Sequence, residues 1–519
     1  MRVGIANPFA YRPHVAHMVF LAGQLVRLKH EIFYLGCGGQ LASCHSKVAK
    51  TGVRRRAECL KCQLGNLASY VKSNLSRIDL EIRDSLVGVE EARKLAYSTA
   101  SSTLQIEDPA QAASAEFSEI LDRSAESIQI AFTNARRWIR DKRLECVFVF
   151  NGRFDLTRAI VEACIAESVR YVSVERSWFG RGLQLLPNET CIGLRHYHEL
   201  CAKWADHPLT YAQAAQASSL VSKRLSRQSV GEWKQYNLGT VESGAAQPIK
   251  YLFLPSSQHE WLGHQDRTAA WRHPTEGLQY LFDRLGLKMG ELTVRGHPGW
   301  SMKIKLYGPN QANGLYRDWC RRVGARYIDA SESTDTHDLM RRSPLILVNG
   351  SSASMEAAWL GKPLISFVPA AFTTSGISRN LFGPGDVDGL DADARDSIRR
   401  PWDASVDPEA QCRAALRYIY CVNFRLMQFV DTIDSMSPYA FRVSQPQDLS
   451  GLQALVATGS LTESDRTAAG DDAGEMSVIR AILAGNSASL HAEPANTAPL
   501  KFDRIRRRVP YRIIDVFSE

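Results

Sequence analysis

Apolar residues fall into two alternating rhythms along this chain. Val3 to Ala6 is a short unbroken apolar run stopped by Asn7-Pro8, which marks a buried strand leaving into a loop. From Ala16 to Leu28 the spacing turns helical through Val19, Leu21, Ala22, Leu25 and Val26, and Glu31 to Leu35 is again β-like. These three segments make a βαβ unit. Between about 64 and 143 the pattern is helical almost throughout, clearest from Phe117 to Trp138 and interrupted at Asp108-Pro109, so it reads as a helical insertion. A second βαβ unit follows: the run Cys146 to Phe150 ending in Asn151-Gly152, a helix over Leu156 to Glu167, and a strand over Tyr171 to Val174.

After a helical stretch from Tyr211 to Tyr236, residues 239–248 are small, polar and end in proline, which places a domain boundary there. Alternation then resumes. Strands are expected at Lys250 to Leu254, Leu292 to Arg295, Leu345 to Val348 and Leu364 to Val368, with helices near Glu276 to Leu285, Gly314 to Val323 and Ala353 to Leu360. The chain thus divides into a first Rossmann-like unit over 1–245 carrying the insertion at 64–143, a second over 246–408, a long crossing helix within 409–445, and an extension over 446–519. That extension is rich in Ser, Ala, Thr, Gly and Asp and is expected to be partly disordered. The fold class is α/β, with two doubly wound parallel sheets facing a cleft.

The length of 519 residues is about three times the ~150-residue domain prior, in keeping with two domains and additions. No apolar run approaches the ~18 to 20 residues of a membrane span, and no signal segment opens the chain, so a cytoplasmic protein is expected. Its 11 cysteines are then expected to be reduced. A net charge of +8 suits an anionic partner. With no nucleic-acid module and no interleaving of basic and aromatic residues, nucleic acid is not the partner expected. The terminal cluster Arg504, Arg506, Arg507 and Arg508 reads as a solvated tail or as a peripheral contact with the inner face of the plasma membrane.

Ligands of open α/β sheets sit beyond the carboxyl ends of the strands, so the loops there carry the candidate chemistry. Leu345 to Val348 exits into Asn349-Gly350-Ser351-Ser352, then a helix with Glu356 and a closing Gly361-Lys362-Pro363. Gly350 admits close backbone approach, Ser351 and Ser352 offer hydroxyls to a phosphate, and Glu356 one turn on offers a carboxylate to sugar hydroxyls. A plainer alternative makes the serines helix caps and Glu356 a first-turn charge. Arg295-Gly296-His297-Pro298-Gly299 follows the strand Leu292 to Val294 and combines a cation with a titratable donor. The strand at 250–254 exits into a polar loop containing Ser257. In the first unit Asn151, Arg153 and Asp155 follow one strand while Glu175 and Arg176 end the next, so Asp155 and Glu175 are acid–base candidates; Asp155 also reads as a helix cap.

Taken together these strings resemble the bacterial capsule and surface-polysaccharide glycosyltransferases of GT-B fold and the similar sialyl- and Kdo-transferases. Arg295, His297 and Pro298 match the family's R-x-H-P loop, and Ser351, Ser352, Glu356, Ala357, Gly361, Lys362 and Pro363 match its S-S-x-x-x-E-A-x-x-x-G-K-P segment. The resemblance implies a nucleotide-sugar donor held by Arg295, His297, Ser351, Ser352, Glu356 and Ser257, a glycan or glycolipid acceptor, and an inverting transfer that needs no metal or cofactor. It also places His14 at the position of the family's catalytic base, although the Gly that usually precedes that histidine is absent. Cys37, Cys44, Cys59 and Cys62 hold one C-x2-C pair close to two more sulfurs, which reads either as a structural zinc site or as buried or free thiols.

Overall fold

The computed structural model describes residues 1–48, 52–80, 87–179, 182–226, 228, 248–301, 311–404, 407–430, 432–437, 440–444, 446, 448–468, 470–486 and 507–511. The first sheet grows outward from β1 (Arg2–Ala6). Its exit loop leads to α1 (His14–Arg27) and back to β2 (Glu31–Cys37); α2 (His45–Val48) and α3 (Gly52–Gly65) then precede β3 (Leu75–Ile78). Helices α4 (Val89–Leu104) and α5 (Ala115–Lys142) complete the insertion. Ser114 starts α5 by accepting from Phe117 N at 3.2 Å, and Arg143 ends it in the left-handed region at φ 47°. The helix lies on the sheet so closely that a Cβ on Gly4 would come within 2.5 Å of Trp138, which is why glycine stands in the middle of β1.

The chain returns through β4 (Cys146–Phe150), α6 (Asp155–Ala166), β5 (Arg170–Arg176) and β6 (Leu183–Pro187). Every residue of β4 is buried, at about 1.5–3 kcal/mol for each fully buried Val or Phe, so this strand lies inside the sheet. The order is β3-β2-β1-β4-β5-β6, parallel except for the β5–β6 pair. The insertion was expected to be helical almost throughout, with a break only at Asp108-Pro109, and β3 lies within it. Four residues, Leu75-Ser-Arg-Ile, are too short to impose a period of their own between helical neighbours, and their pairing with Tyr34 to Cys37 makes them a strand.

Two helices, α7 (Arg195–Trp204) and α8 (Tyr211–Leu225), precede the second sheet. That sheet comprises β7 (Tyr251–Leu254), α9 (Pro274–Leu285), β8 (Leu292–Arg295), α10 (Ala312–Val323), β9 (Arg326–Ile328), α11 (Thr336–Arg342), β10 (Leu345–Val348), α12 (Ala353–Trp359), β11 (Leu364–Ser366) and β12 (Arg379–Asn380), followed by α13 (Pro384–Asp388) and α14 (Ala392–Arg399). Its order, β9-β8-β7-β10-β11-β12, repeats that of the first sheet strand for strand. Alternate residues serve opposite layers: Tyr251 and Phe253 join Leu292, Leu345 and Leu347 on one face, and Leu252 and Leu254 join Ile346 and Met355 on the other. The fold is therefore two Rossmann-like doubly wound units, the GT-B arrangement.

Tyr197, Leu200, Ala214 and Val221 share the core of the second sheet, so α7 and α8 pack with the second unit although they precede the boundary expected at 239–248. Most of that boundary segment lies outside the described residues. The crossing helix expected within 409–445 is α15 (Pro408–Tyr420), prolonged by a π turn over Cys421–Arg425 and packed on the second unit. The chain then enters the first unit as a hairpin, β13 (Ile433–Ser437) and β14 (Ala440–Val443), and as α16 (Ser450–Thr458), whose Leu452, Leu455 and Val456 join the first core. It returns to the second core with α17 (Asp472–Leu483). The extension was expected to be partly disordered, but this stretch is anchored. Arg417 grips the fully buried Glu475 through two bonds of 2.9 and 2.7 Å, and Arg425 donates to Asp465 O and Thr467 O with its guanidinium 3.5 Å from the Trp204 ring centroid. Arg504 and Arg506 of the terminal basic cluster lie outside the described residues.

Candidate active site at the cleft

In a sheet ordered 3-2-1-4-5-6 the exit loops of strands 1 and 4 diverge and leave a crevice. In the first unit that crevice lies between the exits of β1 and β4. His14, the first residue of α1, reaches Glu175 near the end of β5, with Nδ1 3.2 Å from Oε1. Asn151, just beyond β4, adopts φ 62° and donates Nδ2 to Glu175 Oε2 at 2.8 Å. Asparagine tolerates this left-handed conformation, and Gly152 follows at φ 76°. Glu175 Oε1 also accepts from Arg176 N at 2.9 Å. The pairing puts the imidazole proton on Nδ1 and leaves Nε2 with the lone pair. Burial, opposed by Glu175 and reinforced by Arg176, holds the His14 pKa below its ordinary 6.5, so the ring is neutral at neutral pH.

Two of the three acid–base candidates thus meet; the third does not. Asp155 is fully buried as the first residue of α6. Its backbone N–H donates to Thr99 Oγ1 of α4 at 2.9 Å, and its Oδ1 accepts from Leu156 N at 2.7 Å. The insertion covers this helix start and turns the carboxyl inward, where burial pushes its pKa up to about 7.

In the second unit the exits of β7, β8 and β10 are tied together. Asn349 exchanges side-chain bonds with the backbone of Ser256, its Nδ2 donating to Ser256 O at 3.1 Å and its Oδ1 accepting from Ser256 N. Ser257 Oγ accepts from Trp300 Nε1 at 2.8 Å, and Trp300 stacks on Tyr316 with centroids 5.4 Å apart. His297 Nδ1 accepts from Gly299 N at 3.1 Å, which leaves its ring proton on Nε2, a donor. Ser351 Oγ accepts from Ala353 N at 3.3 Å and is buried, whereas Ser352 is exposed beside Gly350 at φ 88°.

Two residues expected at the donor are occupied elsewhere. The buried Arg295 guanidinium donates to the carbonyls of Asp329, Glu332 and Thr334 and so fixes the loop after β9. Glu356, 2% exposed, pairs with Arg224 of α8. A charge inside a packed layer needs a partner there, and the helix packed beside α12 supplies it.

The β7 exit also reaches across to the first unit. Glu107, fully buried in the insertion, accepts from Gln258 N at 2.7 Å and lies 3.1 Å from His259 Nδ1. Arg153 Nη1 donates to Glu260 O at 3.0 Å, while Arg153 N donates to Asn151 Oδ1 at 3.2 Å. Hydrogen bonds and chain therefore run without a break from His14 and Glu175 through Asn151 and Arg153 to the loop of Ser257. Sequence reasoning missed Glu107, Trp300 and Tyr316. Trp300 follows the His-Pro-Gly string directly and was the one signal available; nothing in the chain links Glu107 to a loop 151 positions on.

The four cysteines were read either as a structural zinc set or as buried or free thiols, and two of the thiols face backbone carbonyls. Cys59 Sγ points to Gly39 O at 3.4 Å and Cys62 Sγ to Pro8 O at 3.8 Å, and burial pushes the Cys62 thiol up to about 12. Among the described residues no group of three or more His, Cys, Asp or Glu side chains is arranged to hold a metal ion.

The two matched sheets, with their strand exits meeting across a cleft, define a GT-B-type protein. No family model matches the chain, and no curated protein matches its sequence. Among solved structures it is similar to the KpsC β-Kdo 2,4 transferase of Thermosulfurimonas dismutans, at 15% identity over 66% of this chain and 87% of that one, with a TM-score of 0.31. It is similar also to MurG of Acinetobacter baumannii, at 11% identity over 81% and 95% with a TM-score of 0.26. A third likeness is the UDP-GlcNAc 2-epimerase of Neisseria meningitidis, at 12% over 81% and 99% with a TM-score of 0.22. The strand order, not these likenesses, carries the fold assignment.

Proposed function

We propose that this chain is a glycosyltransferase that moves a sugar from a nucleotide-sugar donor to a glycan or glycolipid acceptor in surface-polysaccharide biosynthesis. The observation that carries the reading is the His14–Glu175 pair at the first switch point, joined by hydrogen bonds to the loops of the second. His14 Nε2 takes the proton of the acceptor hydroxyl, and Glu175 positions the ring and stabilises the imidazolium that forms. The acceptor oxygen bonds to the anomeric carbon as the bond from that carbon to the donor phosphate breaks, and the electron pair leaves with the nucleotide. Ser257, His297, Ser351 and Ser352 supply hydroxyl and ring donors to the departing phosphate. In this reading the chemistry requires no cofactor. No helix among the described residues is long and apolar enough to cross a membrane, so a lipid-linked acceptor would be met by peripheral contact.

The test is incubation of the purified chain with CMP-, UDP- and GDP-sugars, with and without glycan acceptors. Acceptor-dependent release of one nucleotide supports transfer. Acceptor-independent turnover would instead mark an epimerase or hydrolase, and absence of nucleotide binding, or binding unaffected by His297→Ala, would sink the donor assignment.

A further inference from the structure

Beside the acid–base pair, on the same edge of the first sheet, lies an open pocket of about 510 Å³ that the reading above does not use. Its floor is the turn Gly39 to Ala42 beyond β2, and its wall is α3. Strand β2 is the neighbour of β1, and the β1 exit loop that leads to His14 touches this wall: Cys62 of α3 points to Pro8 O, and Tyr11 OH bonds His45 Nδ1 and Ser46 Oγ of α2. The pocket therefore lies against the loop that leads to His14.

Among the described residues the lining holds three cations, Lys47, Arg55 and Arg56, and no carboxylate. Lys47 is buried and donates to Leu41 O, and Arg55 donates to Ala42 O, so the turn's carbonyls brace two of the cations at the wall. Each such bond uses one of the three donors of an ammonium or the five of a guanidinium. Three cations lining one opening repel one another, and the field they make favours an anion there. The volume matches a ligand of a few tens of heavy atoms at most.

We infer that this pocket binds the anionic group of the acceptor, a phosphate, diphosphate or carboxylate, with Lys47, Arg55 and Arg56 as its ligands. The acceptor is then acidic or phosphorylated. The assignment to an acceptor rests on the transferase reading; the anion site itself does not.

The test is calorimetric titration of the full chain with inorganic pyrophosphate at low ionic strength. Arg55→Gln with Arg56→Gln is expected to remove one binding component, weakening it tenfold or more, while a Ser257→Ala, His297→Ala double variant keeps that arginine-dependent component. Wild-type binding in the arginine variant, or loss only in the donor-loop variant, overturns the site. Arg56→Gln alone, at an exposed position, keeps the test valid should the double variant not fold. Sedimentation with phosphatidylglycerol against phosphatidylcholine vesicles then separates sources. Loss of the phosphatidylglycerol preference along with pyrophosphate binding assigns the anion to a lipid headgroup, and its retention assigns a soluble oxyanion. Pyrophosphate binding that depends on the arginines, with no transfer to any acceptor, would leave the site standing and refute the transferase reading.

Discussion

At the first sheet's crevice an ionisable pair, His14 and Glu175, joins the exits of β1 and β5 across β4; at the second, built on the same strand order, Asn349, Ser256, Ser257 and Trp300 answer one another with neutral hydrogen bonds. The charged residues of the second unit that sequence reasoning put at the ligand, Arg295 and Glu356, are instead absorbed into its interior. The same topology thus gathers an ionisable pair on one side and neutral hydrogen-bonding groups on the other. A topological crevice sets where a ligand goes, and the side chains left over after the core is satisfied set what happens there.

The contrast is broken most directly at its charged end. His14→Ala is expected to lower kcat/KM about 10²–10⁴-fold while a nucleotide still raises the melting temperature as in the wild type. Loss of both together would place His14 in the fold and not in the chemistry. On the other side, Arg224→Ala leaves Glu356 buried without its partner and should cost about 3–5 kcal/mol in urea unfolding. Adding Glu356→Leu should recover much of it, because the pair is structural.

Two pH dependences sharpen the comparison further. Asp155, raised to about 7 in the fold, binds its proton more tightly there than in the unfolded chain, so stability is lost as pH rises from about 4 to 7. Asp155→Asn should flatten that part of the melting-temperature profile. The base form of His14 prevails above a pKa held below 6.5, so the acid limb of kcat/KM should have its midpoint below 6.5 and move lower still in Glu175→Gln, which removes the carboxylate that raises it. Smallest of all, Trp300→Phe removes one neutral bond to Ser257 and should cost about 0.5–1.5 kcal/mol, seen as a modest weakening of nucleotide binding.

Both sheets were legible because their central strands are continuous apolar runs bounded by Asn, Gly and Pro, and the strand-end loops stood out for the same reason. Much of the rest was not. The short β3 was hidden by flanking helical periodicity, and α7 and α8 carry no mark of which sheet they will cover. Arg295 and His297 are two residues apart in one promising string, yet only the position of the carbonyls after β9 decides that the arginine turns inward. Sequence records a side chain's chemistry; whether that chemistry is taken up internally is a property of the neighbours the fold brings.

Among the described residues the backbone passes from one unit to the other after β6, between the π turn and β13, and between α16 and α17, and residues 507–511 lie on the first unit again. Two of these passages run side by side, since Leu183 and Gln428 bond to each other through their backbones. The units are thus fastened at more than one place, along the β6 edge and again where Glu107 and Arg153 hold the β7 exit loop, so they do not swing like a book about a single spine.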